Sequence, residues 1–183
     1  KMYWDEFTPT EDGFHRYDPD SSRICYSLIR HFRPQNCLEF GSSSGGATDF
    51  IQKALLKNKQ PFTFSTFEME PGLAEATKNY VFKENKSTPM IFQGKIEEHL
   101  EYVPKGLDFV FIDTNHDTEN TKWYIEHLFP RIKKGALVAI HDWAVWEQDG
   151  AWLGKGDGGP GGLAETQYLM DLHKTGELPL EKI

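Results

Sequence analysis

Apolar positions along this chain follow two periods that take turns. Short, nearly unbroken apolar runs recur at Asn36–Gly41, Phe62–Glu68, Pro89–Gln93, Leu107–Asp113 and Gly135–His141. Such runs mark strands buried on both faces. Between them, apolar residues return every three or four positions. Ile24, Cys25, Leu28 and Ile29 predict a helix capped by Asp20 or Ser21. It closes before Pro34, which disfavours helix at Arg33. Phe50, Ile51, Ala54 and Leu55 predict a helix over Thr48–Lys57, and Pro71 opens another that runs to about Phe82. Ile96–Tyr102 reads as a short helix, Thr118–Ile132 as a longer one and Leu163–Thr175 as the last. Strands that alternate with helices imply parallel pairing, a sheet covered on both faces and right-handed crossovers. The expected core includes Leu38, Phe40, Phe64, Ile91, Phe109, Phe111, Leu137 and Ala139. Leu178–Ile183 reads as the start of a sixth strand, with too little chain left for a complete final hairpin.

The two ends break the pattern. Residues 1–19 are aromatic, acidic and proline-containing, and read as a cap. Trp143–Trp152 reads as an aromatic loop, and the run Gly154–Gly162 is too glycine-rich for regular structure. Trp143, Trp146 and Trp152 either pack a lid or form a flat apolar wall for a substrate. The glycine run is either a gate or a linker. At 183 residues the chain has the length of one domain: a cap at 1–19, a core at 20–142, a lid loop at 143–162 and a C-terminal helix with a possible strand at 163–183.

Charge narrows the partners. Asp and Glu number 28 against 20 Lys and Arg, for a net charge of −8, so the surface repels phosphate backbones and nucleic acid is not expected. No apolar stretch approaches the ~20 residues a membrane helix needs. Lys1–Glu6 lacks an apolar signal core, and a start at Lys1 rather than Met is compatible with a piece of a longer protein. Two cysteines, Cys25 and Cys37, sit in apolar patterns and are expected as buried thiols, with a cytoplasmic setting as the default.

In an open α/β sheet, ligands bind beyond the carboxyl ends of the strands. There the first loop reads Glu39-Phe40-Gly41-Ser42-Ser43-Ser44-Gly45-Gly46. Its glycines permit a sharp turn and close approach to a ligand, but the dinucleotide spacing Gly-x-Gly-x-x-Gly is missing. Glu39 suits a cationic group, or is simply a solvated acid. Glu68 ends the second strand, where a carboxylate can accept both hydroxyls of a ribose, or stand exposed. Asp113, His141 and Asp142 end the fourth and fifth strands and form a candidate set of metal ligands. The alternative is a hydrogen-bonded strand-end pair. His116 is either a general base or a locally packed helix residue. His15, His31, His99, His127 and His173 read as surface or core residues away from the strand ends.

Four motifs, in order, resemble those of class I S-adenosylmethionine-dependent methyltransferases. The similarity is closest to the metal-dependent small-molecule O-methyltransferases, the group around catechol and caffeoyl-CoA O-methyltransferases and their sugar- and antibiotic-modifying relatives. Leu38–Gly45 is similar to their Glu-x-Gly-x-x-x-Gly motif. Phe67-Glu68-Met69-Glu70-Pro71 resembles their acidic ribose loop, Phe111–His116 their fourth-strand motif, and Lys134–Asp142 their fifth strand with its terminal metal-binding pair. His141 departs from the acid-acid or acid-amide pair usual there. The resemblance spans about Ser21 to Trp143.

It implies a Rossmann-like three-layer sandwich with strand order 3-2-1-4-5 and a partial or missing final hairpin. It implies S-adenosylmethionine bound by Glu39, Gly41, Ser42, Ser43, Gly45, Glu68, Met69 and Asp113, with Gly94, Lys95 and Ile96 beside the adenine. It also implies a divalent cation such as Mg²⁺ or Mn²⁺ on Asp113, His141 and Asp142, His116 as base, and a small hydroxylated acceptor. A homo-oligomer is left open. Two other classes stay in view: a non-catalytic S-adenosylmethionine-binding domain and a nucleotide-dependent oxidoreductase.

Overall fold

The structure is a computed structural model that describes residues 3–9, 18–84, 90–141 and 161–180. Five strands form one sheet among these residues: β1 (Asn36–Phe40), β2 (Thr63–Glu68), β3 (Met90–Gln93), β4 (Leu107–Ile112) and β5 (Ile132–Ile140), in the order β3-β2-β1-β4-β5. That is the expected order. β1 pairs in parallel with β2 and β4, and β2 with β3.

The register explains the unbroken apolar runs. Cys37 aligns with Phe64 and with Phe109, so all three face the same side. On that side lie α1 (Pro19–Phe32) and α2 (Gly46–Lys57), which contribute Tyr26, Ile29, Phe50, Ile51 and Leu55 to one buried cluster. Phe50 meets Phe111 edge-on at 5.8 Å between ring centroids. Leu38 and Val110 share the opposite face and are also fully buried. Strands buried on both faces need no polar alternation. Of the expected core, Leu38, Phe40, Phe64, Phe109 and Phe111 are buried. Ile91, Leu137 and Ala139 are only partly so, because β3 and β5 are the sheet's edges.

Helix ends differ from expectation where capping chemistry was misjudged. The cap of α1 is Asp18, not Asp20 or Ser21: its carboxylate accepts from the Ser21 N–H at 2.7 Å and Pro19 fills the first helical position. A proline there loses no helix hydrogen bond. Arg33, left-handed at φ 53°, ends α1 before Pro34 as expected. Ile96–Tyr102 is two 3₁₀ turns, Ile96–Glu98 and Leu100–Tyr102. Of the cap expected over 1–19, residues 3–9, 18 and 19 are described, the last two as the start of α1. Phe7 stacks on Tyr26 at 5.0 Å and is buried in the α1–α2 cluster, so this segment is anchored in the core. α3 (Pro71–Glu84) opens at Pro71 as expected. Cys37 is buried and Cys25 half-buried, both as free thiols.

The chain divides into two compact units, 1–112 with 133–139, and 113–132 with 140–183. The sheet core and α1–α3 belong to the first. In the second, α4 (Thr118–Trp123) is capped by the Asp117 carboxylate, which accepts from the Asn120 N–H at 2.7 Å. It continues as a π-turn over Tyr124–Leu128 and a 3₁₀ turn over Phe129–Arg131. α5 (Gly161–Thr175) packs against α4. Gly161 and Gly162, expected in an irregular run, belong to α5. Leu178–Leu180 forms no strand, so the described part of the expected sixth strand is absent. Trp143, Trp146, Trp152, His15 and the rest of the glycine run lie outside the described residues.

Candidate active site

In the first unit the β1–α2 loop is built on left-handed backbone. Gly41 and Gly45 both sit at φ 96°, and Ser43 at φ 47°. At Gly45 a Cβ would come within 3.3 Å of Thr77 Cα on α3, so glycine serves both the backbone conformation and the close approach. The loop is pinned from three sides. Gly41 N–H donates to Phe67 O at 3.1 Å, Thr77 Oγ1 donates to Ser43 O at 2.8 Å, and Ser43 N–H donates to Glu68 Oε2 at 2.6 Å.

Glu68 is the hub. Its Oε1 accepts the Glu70 N–H at 2.9 Å, and its backbone carbonyl accepts the Gly94 N–H at 2.9 Å. The loops after β1, β2 and β3 are therefore tied to one residue. A carboxylate offers about four lone-pair sites, and two N–H donors occupy two of them. Two sites remain on a carboxylate that is buried but held at the carboxyl end of the sheet.

Glu39 is not the solvated acid of one of its two readings. It is fully buried on β1, where its Oε2 accepts the Thr48 hydroxyl of α2 at 2.6 Å. Ser42 is also buried, with its Oγ 3.4 Å from Thr77 Oγ1. Met69 beside Glu68 is 48% exposed. Gly94 sits at φ 129°, Lys95 is exposed and Ile96 is buried. His99 is not remote from the strand ends: a Cβ on Gly94 would come within 2.7 Å of His99 Nε2.

The second unit holds the titratable cluster. Asp113 follows the last residue of β4 directly. Its Oδ1 lies 3.3 Å from His141 Nδ1 and 3.7 Å from His116 Nε2. On the other side of the ring, His116 Nδ1 lies 2.6 Å from Glu165 Oε2 on α5. Glu165 Oε1 accepts the Tyr124 hydroxyl at 2.7 Å. Tyr124 and Glu165 are both buried. Burial, and then the neighbouring Glu165 charge, push the Tyr124 phenol far above its usual range, so it stays a donor.

Sequence reasoning placed Asp113, His116 and His141, and the structure brings the three together. It missed Glu165 and Tyr124. The available signal was a carboxylate four residues before the fully buried Leu169, on the same helical face. Asp142 lies outside the described residues. Among the described residues, no group of three or more His, Cys, Asp or Glu is arranged to hold a metal ion.

Comparison with known proteins agrees with this architecture. A methyltransferase-domain profile matches residues 38–143, more than half the chain. The chain belongs to the methyltransferase-domain family. Its enzyme class is accordingly that of the S-adenosylmethionine-dependent methyltransferases. Among solved structures the domain is similar to the methyltransferase PaMTH1 of Podospora anserina bound to SAH, at 16% identity and a TM-score of 0.70, over 90% of this chain and 74% of that one. It is also similar to an O-methyltransferase of Bacillus cereus in complex with SAH, at 16% identity and a TM-score of 0.65, over 86% of this chain and 71% of that one. A third is the O-methyltransferase TomG of Streptomyces achromogenes, involved in tomaymycin synthesis and solved with SAM, at 16% identity and a TM-score of 0.65, over 92% and 82%. At such identities the likeness is one of fold. No curated protein matches the methyltransferase significantly. No helix among its described residues is long and apolar enough to cross a membrane.

Proposed function

We propose that this methyltransferase transfers a methyl group from S-adenosylmethionine to a hydroxyl of a small molecule. The observation that carries the cofactor half is the Glu68 hub. The two carboxylate sites left after the Ser43 and Glu70 amides match the two hydroxyls of a ribose. Gly41, Ser42, Ser43 and Gly45 would meet the amino-acid end of the cofactor with backbone amides, and Met69 with Gly94, Lys95 and Ile96 would flank the adenine. Glu39 would act from beneath, steadying the first turn of α2 through Thr48. Asp113 is proposed for the cofactor's ammonium.

The proposed acceptor is a hydroxyl because His116 supplies an imidazole, a side chain suited to taking a hydroxyl proton. When bound, the cofactor supplies a methyl on a sulfonium. As the acceptor oxygen exchanges its proton for that methyl, His116 Nε2 would take and hold the proton. Asp113 and His141 place an oxygen and a nitrogen donor side by side and, with Asp142, would hold a divalent cation. An imidazole among oxygen donors favours an ion softer than Mg²⁺. A bound ion would lower the pKa of a coordinated hydroxyl. Two of the three similar structures are O-methyltransferases, which supports the O-methyl reading.

The test is a screen of hydroxylated acceptors for release of S-adenosylhomocysteine, run with and without EDTA. Turnover that EDTA abolishes and Mn²⁺ restores supports the whole reading. Full turnover in EDTA removes the cation and leaves the base. Binding of S-adenosylmethionine without turnover of any hydroxylated acceptor favours a non-catalytic binding domain.

A further inference from the structure

We propose that Glu165 is the positioning residue for His116: it fixes the tautomer and the direction of the imidazole, so that α5 contributes to the chemistry. The inference rests on the reading of His116 as the base and deepens it.

The argument starts from burial. Glu165 is only 1% exposed although it is a carboxylate. A buried carboxylate persists only where donors satisfy it. Here one partner lies on each oxygen: the Tyr124 hydroxyl donates to Oε1, and His116 Nδ1 lies 2.6 Å from Oε2. The backbone reinforces the pair, because Glu165 N–H donates to His116 O at 3.3 Å. Burial keeps the Tyr124 phenol protonated, and it donates to Oε1.

An ionised carboxylate can only accept. The proton on the neutral ring must then be at Nδ1, which leaves the lone pair on Nε2. A base whose second nitrogen is tied to a buried carboxylate is fixed in rotation as well as in tautomer. Asp113 Oδ1, 3.7 Å from Nε2, is beyond hydrogen-bond distance in this arrangement. Glu165, at 2.6 Å, is the closer of these two carboxylates and the more deeply buried.

The test reads the ring directly. The full chain is labelled with ¹⁵N-histidine, and its ring nitrogens are followed by NMR in weakly alkaline buffer without cofactor or acceptor. The H116Q variant identifies the signals. The expected wild-type pattern is a neutral His116 with a pyrrole-type Nδ1 and a pyridine-type Nε2. E165Q should lose that preference, and E165D should restore it at least in part. Melting curves show which variants are folded, and the wild-type spectrum decides the tautomer even if E165Q is not. A pyrrole-type Nε2, a doubly protonated ring, or a folded E165Q with the wild-type pattern would overturn the proposal. Failure of the base itself is a separate result: it would show as undiminished turnover in H116A, with the tautomer unaffected by that outcome.

Discussion

Replacing Glu68 with alanine separates two jobs that the structure assigns to one carboxylate. The first is bracing. Glu68 accepts the Ser43 and Glu70 amides at 2.6 and 2.9 Å, and alanine leaves both donors without an acceptor. An orphaned buried donor costs ~1–3 kcal/mol. Ser43 and Glu70 are themselves exposed, so water can replace part of what is lost, and the lower end applies to each. The sum is about 2 kcal/mol. For a domain of this size 1 kcal/mol moves the melting temperature by ~2–4 °C, so a fall of about 4–8 °C is expected by calorimetry. The second job is the proposed ribose contact, worth ~1–3 kcal/mol, or roughly 5- to 150-fold in the Kd for S-adenosylhomocysteine by titration calorimetry. Glu68→Gln keeps one accepting oxygen and should fall between alanine and wild type in both. A lowered melting temperature with unchanged affinity removes the ribose role. Unchanged melting of Glu68→Ala refutes the bracing argument itself.

His116→Ala should lower turnover by ~10²–10⁴ and leave affinity for S-adenosylhomocysteine intact; equal turnover at neutral pH would end its assignment as base. Gly45→Ala forces a side chain into left-handed backbone against Thr77 and should cost ~1–3 kcal/mol, read as a lowered melting temperature; wild-type melting would contradict the close approach. Burial pushes the Cys25 thiol up to about 12, and Cys37 higher still, with the Asp108 charge adding to burial. At about pH 8 both should resist iodoacetamide in the native protein and react once it is unfolded; rapid native labelling would contradict their burial. A thiol raised in the folded state stabilises fully below its ordinary value of 9.0, and that contribution is lost as pH climbs toward about 12. A denaturant midpoint that stays flat across that window would count against it.

What the sequence made legible follows from burial. β1, β2 and β4 lie inside the sheet, so their apolar runs are unbroken and their positions were readable to a residue or so. β5 begins at Ile132, three residues before the expected start, because it is an edge strand and its exposed Lys133 and Lys134 hide it in the pattern. The helix expected over Thr118–Ile132 loosens before its end. Pro130 has no N–H to continue the ladder, and Phe129 donates five residues back, to Tyr124 O. In the candidate site, residues at strand ends could be found by position alone. For Glu165 the i, i+4 relation to Leu169 points only to a buried helix face; its pairing was not legible, because His116 is 49 residues away.

Asp108 sits at the amino-terminal end of the sheet, away from all of this. One carboxylate oxygen accepts the Gln35 and Asn36 amides at 2.9 and 2.7 Å, and the other accepts Lys133 Nζ at 3.2 Å. Asn36 Nδ2 adds a bond to Gly106 O at 3.4 Å. The entrances of β1, β4 and β5 are thus riveted by side chains that take no part in the proposed chemistry. Evolution can therefore recast the opposite rim, loop by loop, for a new acceptor without renegotiating how the strands first find one another. A laboratory that wishes to graft a different specificity onto this scaffold has the same freedom, provided it leaves Asp108 alone.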